Sequence, residues 1–193
     1  RGDEAAGHGY RWSNGFEMTR DEEREAIRRA VESIVATTGS RPLGWYSREM
    51  SVHTRDLVVE EGGFVYDSEC YNDDLPYWTT VHGKPHLVVP YDLVVNDARF
   101  VLSQGYGSPR DFFDYARMTL DRLRNDGDGV SRMMSVGLHP RFSGHPGRAD
   151  ALARFVEYGQ QCGDVWFARR IDIANTFREQ FPAEKALEDA VRV

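Results

Sequence analysis

The chain of 193 residues has the length of one domain, and its 40% apolar content is enough for a sizeable core. A formal charge of -7, with Lys and Arg scattered rather than gathered, argues against a nucleic-acid partner. The two cysteines, Cys70 and Cys162, make neither a disulfide framework nor a metal knuckle. No apolar stretch approaches the ~20 residues of a membrane span. With no signal peptide legible, a cytoplasmic location is the expectation.

In chain order, short apolar runs alternate with amphipathic helices. Thr19-Arg20-Asp21-Glu22 is a capping box; Ala26, Ile27, Ala30, Val31 and Ile34 follow at helical spacing, and Gly39 is placed to end the helix. The acidic run 21–25 reads as its solvated face. A short run before Trp45 reads as a strand. A second helix begins at Ser51 and ends at Gly62-Gly63; strands follow at Phe64-Val65-Tyr66 and over 86–90. Ser108-Pro109-Arg110-Asp111 opens a third helix, with Phe112, Tyr115, Ala116, Leu120 and Leu123 on its apolar face. The segment 133–138 reads as a buried strand running into His139. A fourth helix follows Gly147, then a strand over 165–168 and a last helix over 171–181.

This alternation predicts parallel βαβ units, an α/β fold in a single domain over 1–193. Some five strands are legible, whereas a closed parallel barrel needs ~8. An open barrel leaves unpaired edges, so either the sheet is open or further strands come from a segment outside this sequence. The chain opens at Arg1-Gly2-Asp3-Glu4, with no initiating Met and no lead-in strand. It is therefore expected to be the later part of something longer.

The pentapeptide His8-Gly9-Tyr10-Arg11-Trp12 places two side chains four residues apart, the spacing at which paired histidines hold zinc. Trp12 fills the second position, and an indole N–H only donates. Further polar clusters fall after strands or runs resembling strands, where α/β barrels keep their chemistry: 41–46, 71–78, 91–99 (with Asn96-Asp97) and 139–148. His139 ends an apolar run. An imidazole with an ordinary pKa of ~6.5 suits a general acid near neutral pH, the other reading being a histidine satisfied by loop backbone. His8 reads as a loop histidine or a site residue. Trp12 and Trp45 read equally as core or as walls of a site for a flat ring. The side chains of Asp73 and Asp74 diverge in an extended loop, so at most one faces a site, and the pair is also a turn signal. Arg141 and Arg148 suit an oxyanion, a ureido group or a carboxylate-like group. Arg148 falls at a helix start, where a cation is mildly unfavourable. His53, His82 and His86 read as structural, and Cys70 has no base beside it.

Taken together, HGYRW, RPLGWY, YNDDLPYW, a strand ending SVGLHPR, and GHPGRADAL resemble the metal-independent allantoinases and cyclic imide hydrolases. These form a branch of the polysaccharide deacetylase (NodB-homology) superfamily, and the resemblance runs over essentially the whole chain. It implies an irregular (β/α) barrel, incomplete here for want of N-terminal strands. It implies His139 as the acid that protonates a departing amide nitrogen, and His8 as the retained first histidine of the metal motif, polarising the substrate carbonyl or orienting water. Arg41 falls on the superfamily's arginine-proline motif and would orient the catalytic acid through a charge-assisted hydrogen bond. Trp12, Arg41, Trp45, Asp74, Arg141 and Arg148 are then the expected substrate-binding residues, with no metal and no other cofactor. The acidic base is implied to lie on an Asp-rich motif ahead of HGYRW. A second chain carrying that motif and the first strands, or an absent segment, is accordingly expected, within an oligomer. His145 stands where the resemblance expects arginine, which leaves the ring open among allantoin, a hydantoin and a cyclic imide. Two other readings remain. One is a zinc-dependent polysaccharide or peptidoglycan deacetylase, which wants histidine at Trp12; the other is a non-catalytic subunit of a deacetylase-like enzyme.

Overall fold

The first long helix begins where its capping chemistry predicts. In the computed structural model, which describes residues 2–126 and 129–184, α1 spans Arg20–Thr38. Thr19 accepts from the Glu22 N–H, and the Glu22 carboxylate takes the Thr19 N–H in return. Gly39, in left-handed backbone, ends the helix. The chain divides into two units: the described residues up to Pro90 together with those from Ala168 onward, and Tyr91–Phe167.

In the first unit, β1 (Gly44–Trp45), α2 (Thr54–Glu61), β2 (Tyr66–Asp67), β3 (Tyr77–Val81) and β4 (Lys84–Val88) build a sheet in the order β1-β2-β4-β3. β1 and β2 run parallel across the α2 crossover, and β2 runs parallel to β4. β3 departs from the parallel expectation. It runs antiparallel to β4 across His82-Gly83, both with positive φ, the geometry a two-residue hairpin turn demands. Gly7 also pairs in parallel with Trp45, donating to Gly44 O and accepting from Tyr46 N–H. Ahead of His8, then, the chain makes one parallel bridge to the sheet rather than a strand. Ile27 and Ala30 of α1 and Leu57 and Val58 of α2 form a buried cluster with Trp45. Glu23 is a second correction. Placed by sequence on a solvated face, it is 5% exposed and accepts from the hydroxyls of Ser51 and Thr54. Ser51 also takes the His53 N–H, so α2 starts at Thr54 rather than Ser51.

In the second unit, α3 spans Pro109–Asn125, with proline in its first turn and a reciprocal Ser108–Asp111 capping box. A single turn, α4 (Pro140–Ser143), precedes α5 (Pro146–Cys162). α3 and α5 pack together over Phe112, Ala116, Leu120, Ala151 and Phe155, joined by Val95 and Tyr106. The strand expected over 133–138 is reduced to one parallel bridge, Asn96↔Gly137, with Asp97 N–H on Gly137 O and Gly137 N–H on Val95 O. The apolar run over 165–168 forms no strand; Trp166 and Phe167 are exposed.

The chain re-enters the first unit with α6 (Arg170–Gln180). Glu4 holds its first turn, taking the Ile171 N–H at 2.9 Å and the Tyr66 hydroxyl at 2.8 Å. Among the described residues, no helix is long and apolar enough to cross a membrane.

Candidate active site

Side chains that follow the carboxyl end of a parallel strand are held by backbone on one side and open on the other, which is why α/β folds put chemistry there. In the second unit that position belongs to Asp97 and His139, one residue and two residues past the Asn96↔Gly137 bridge. Asp97 is fully buried. Its Oδ1 lies 2.6 Å from His139 Nδ1, and its Oδ2 takes the His139 N–H and the Ser143 hydroxyl, each at 2.6 Å. A carboxylate accepts only, so Nδ1 carries the proton and Nε2 is the nitrogen left for proton exchange. The His139 side chain is 30% exposed, so the ring is anchored at one edge and accessible at another. The Asn96-Asp97 cluster was visible in the sequence, but nothing marked Asp97 as the partner of a histidine 42 positions away.

In the first unit, His8 follows the Gly7 pairing. Its Nδ1 lies 2.5 Å from Tyr46 O, and its ring stacks on Tyr46 at 5.4 Å between centroids. A carbonyl only accepts, so Nδ1–H donates and a neutral ring presents Nε2 as an acceptor. The Tyr46 hydroxyl meets the Tyr71 hydroxyl at 2.9 Å. At the end of β2, Asp67 is fully buried, held by Arg55 at 2.8 and 3.1 Å and by His86 Nε2 at 2.8 Å. Burial alone would raise the Asp67 carboxyl; the bonds from His86 and Arg55 outweigh it and hold the group below its ordinary range. Glu69, two residues on, accepts the Ser47 N–H and hydroxyl with one oxygen. Burial pushes it up to about 7, against the pull of those Ser47 bonds and with the help of the Asp67 charge. Asp67, Glu69 and Ser47 had no sequence cue beyond lying near strand ends.

The remaining expected residues are dispersed. Trp12 is 60% exposed, with the Arg48 guanidinium 4.1 Å over its ring. Trp45 is 3% exposed, inside the apolar cluster and edge-on to Phe64. Arg41 stands ahead of the amino end of β1, ion-paired with Glu61 and pressed against the backbone of Gly63; the partner it orients is therefore Glu61 on α2, not a residue at a strand's carboxyl end. Asp74 sits in a turn whose backbone N–H groups, its own and that of Leu75, bond Asp73 Oδ1. Arg141 lies over the Phe142 ring at 4.6 Å. Arg148 donates to Phe142 O at 3.2 Å and covers Phe100 at 4.5 Å. Both arginines thus lie near α4, the helix that His139 caps.

Among the described residues, no three His, Cys, Asp or Glu side chains are grouped to hold a metal ion. The donor set around His8 does not fit the zinc site that paired histidines would make, and no step below runs through a metal.

No family model matches the chain. A Schizosaccharomyces pombe protein whose name places it among polysaccharide deacetylases is 35% identical, over 94% of this chain and 62% of its own length. The Helicobacter pylori peptidoglycan deacetylase is 34% identical, over 95% of this chain and 73% of its own. This chain belongs to the polysaccharide deacetylase family. Among solved members of the family, the crystal structure of the Puue allantoinase matches with a TM-score of 0.90 at 46% identity, over 94% of this chain and 61% of that one. The family's α/β fold, with its allantoinase branch, is therefore the fold of this chain, which spans 62% of the yeast relative and 61% of the allantoinase.

Proposed function

We propose that the protein hydrolyses an amide bond within a ring, of the allantoin, hydantoin or cyclic imide type, by attack of water without a metal. The observation that carries this reading is the Asp97–His139 pair. A buried carboxylate fixes the imidazole tautomer at 2.6 Å and leaves Nε2 to deliver a proton. A departing amide nitrogen needs that proton, since an amide anion is too basic to leave unaided. His8, with Nδ1–H spent on Tyr46 O, suits the orientation of water through Nε2 better than the polarisation of a carbonyl, which wants a donor. Arg141 and Arg148 supply positive charge near α4 for a developing oxyanion. The resemblance assigns the acidic base to a preceding segment or a partner chain.

The test is ring opening of allantoin, hydantoin and succinimide by the purified protein, with and without chelator. Turnover that survives chelation is expected; its loss would sink the metal-free version. Names of the relatives favour a second reading, deacetylation of an N-acetylated glycan. Acetate release from such a glycan with no ring opening would establish it. Unchanged turnover in His139→Ala would favour a non-catalytic role for this chain.

A further inference from the structure

Ser143 ends the single turn of α4, and that turn closes it back onto His139. Its N–H donates to His139 O at 3.0 Å, beside that of Phe142 at 2.8 Å. Ser143 is 8% exposed, and its hydroxyl donates at 2.6 Å to Asp97 Oδ2, the oxygen that also takes the His139 N–H. The other oxygen, Oδ1, holds the His139 ring at 2.6 Å. A circuit of bonds therefore runs from the His139 carbonyl through Ser143 to Asp97 and back to the His139 ring, all of it inside the second unit. Ser143 is no nucleophile in this arrangement, because its proton goes to the carboxylate and Nε2 lies on the other edge of the imidazole. Its effect is electrostatic. A hydroxyl dipole aimed at a buried carboxylate stabilises the charge and offsets part of the negative potential that reaches the ring. The other ionisable side chains on the elements packed about α4 are Arg99 on the turn 97–100, Arg141 on α4, and His145, Arg148 and Asp150 at the start of α5. The three guanidiniums lie over aromatic rings: Arg99 over Tyr106 and Tyr115, Arg141 over Phe142, Arg148 over Phe100. These groups stay the same when Ser143 alone is changed.

We propose that Ser143 is a positioning residue for proton delivery, acting through Asp97 to set how tightly the His139 ring holds a proton on Nε2. The proposal rests on the reading that His139 protonates a departing amide nitrogen, and it deepens that reading within the second unit. A general acid works best when it gives up its proton about as readily as it takes it. A buried carboxylate at 2.6 Å without the hydroxyl would hold the imidazolium harder; the Ser143 bond relieves that hold while keeping Asp97 in place.

The experiment is a proton NMR titration of the His139 Cε1–H, assigned by its absence from His139→Ala, in the wild type, Ser143→Ala and Ser143→Thr. Beside it, kcat and KM are measured on allantoin, hydantoin, succinimide and an N-acetylated chito-oligosaccharide, and circular dichroism reports folding. Ser143→Ala should raise the pH at which His139 titrates by about one pH unit. Its kcat should fall ~3–10-fold with KM unchanged, because a proton held more tightly is delivered more slowly. Threonine keeps the hydroxyl and should restore both. A folded Ser143→Ala in which His139 titrates as in the wild type overturns the proposal and leaves the hydrolytic reading standing. An equal rise in Ser143→Thr overturns it as well, since the hydroxyl would not be the cause. A wild type inactive on all four substrates sinks the hydrolytic reading and the delivery role with it, whatever the titration shows. Should Ser143→Ala misfold, Ser143→Cys, whose thiol is a weak donor, must show part of the rise; no rise there is decisive against Ser143.

Discussion

At the scale of single residues, the candidate site is a matter of which carboxyl oxygens are occupied. Asp97 has both engaged, one on the His139 ring and the other on the His139 N–H and the Ser143 hydroxyl. Asp97→Asn replaces an acceptor by a donor. Either His139 Nδ1 must give up its proton, moving the tautomer the wrong way for proton delivery, or a buried N–H goes unpaired. The expected result is a fall in kcat of ~10²–10⁴-fold with a loss of ~1–3 kcal/mol in stability, read by steady-state kinetics and urea denaturation. Glu69 makes a prediction of its own. Its ordinary value is 4.5 and its folded value about 7. Between the two the folded state binds the proton and the unfolded state does not, so stability falls as pH rises through that window. The full difference is about 3 kcal/mol. Asp67 works in the opposite sense; its folded value is depressed below 3.8, so its contribution is present above 3.8 and lost only as pH falls through the lower folded value. Urea midpoints of wild type and Glu69→Gln should therefore diverge from pH 4 to pH 8 in favour of the variant. Parallel midpoints would mean that Glu69 ionises freely in the folded chain. None of this was legible in Asp67-Ser68-Glu69-Cys70, because sequence reports neither burial nor which oxygens are occupied. His139 drew attention in the sequence as the residue after an apolar run, although that run makes a single bridge rather than a strand.

At the scale of elements, legibility followed local chemistry. The boundaries of α1 and α3 were readable because Thr19–Glu22 and Ser108–Asp111 are capping boxes closed within four residues. The β3–β4 hairpin was missed because the Tyr77–Val81 run follows a polar loop directly, and because His82-Gly83 is a less familiar pair than Asn-Gly for a turn with two positive φ angles. The strand expected over 165–168 failed because apolar composition alone cannot supply a pairing partner. The Gly7 segment was invisible for a related reason: a single parallel pairing needs its neighbour, and that neighbour is 38 residues away at Trp45. Gly7 is required there on steric grounds. A Cβ on it would stand 2.3 Å from Trp45 Cε3, and Trp45 is fixed in the apolar cluster. Gly7→Ala should therefore destabilise the protein by ~1–3 kcal/mol through overpacking, and should shift His8 off Tyr46. Thermal unfolding measures the first. The His8 Cε1–H chemical shift, set by the stacked Tyr46 ring, reports the second; an unchanged shift together with unchanged stability would mean that the Trp45 ring has room to move.

At the scale of the whole chain, what sequence patterning reaches least is contact between distant ends, and the first unit depends on such a contact. Glu4 bonds Tyr66, 62 residues on, and the N–H of Ile171, 167 residues on. Arg169 donates to Gly2 O as well. Composition and periodicity, which placed the fold class correctly, are local quantities and cannot register a carboxylate that caps a helix from the far end of the polypeptide. The cap also bears on the candidate site. α6 carries Arg170, whose guanidinium bonds Ser68 Oγ and the carbonyls of Val89 and Pro90 at 3.0–3.1 Å, at the ends of β2 and β4. Loosening the first turn of α6 therefore loosens the rim where Glu69 stands. Glu4→Gln keeps an oxygen for Tyr66 but turns an amide donor toward the Ile171 N–H and loses the negative charge at a helix amino terminus, and should cost about 1 kcal/mol. Glu4→Ala loses both bonds and should cost ~1–3 kcal/mol. Amide hydrogen exchange should place the change in the first turn of α6, with Ile171 fastest, before any global loss appears. If Glu4→Gln were as stable as the wild type and both substitutions left Ile171 as protected as in the wild type, Glu4 would be acting through Tyr66 alone and the helix would need no cap from it.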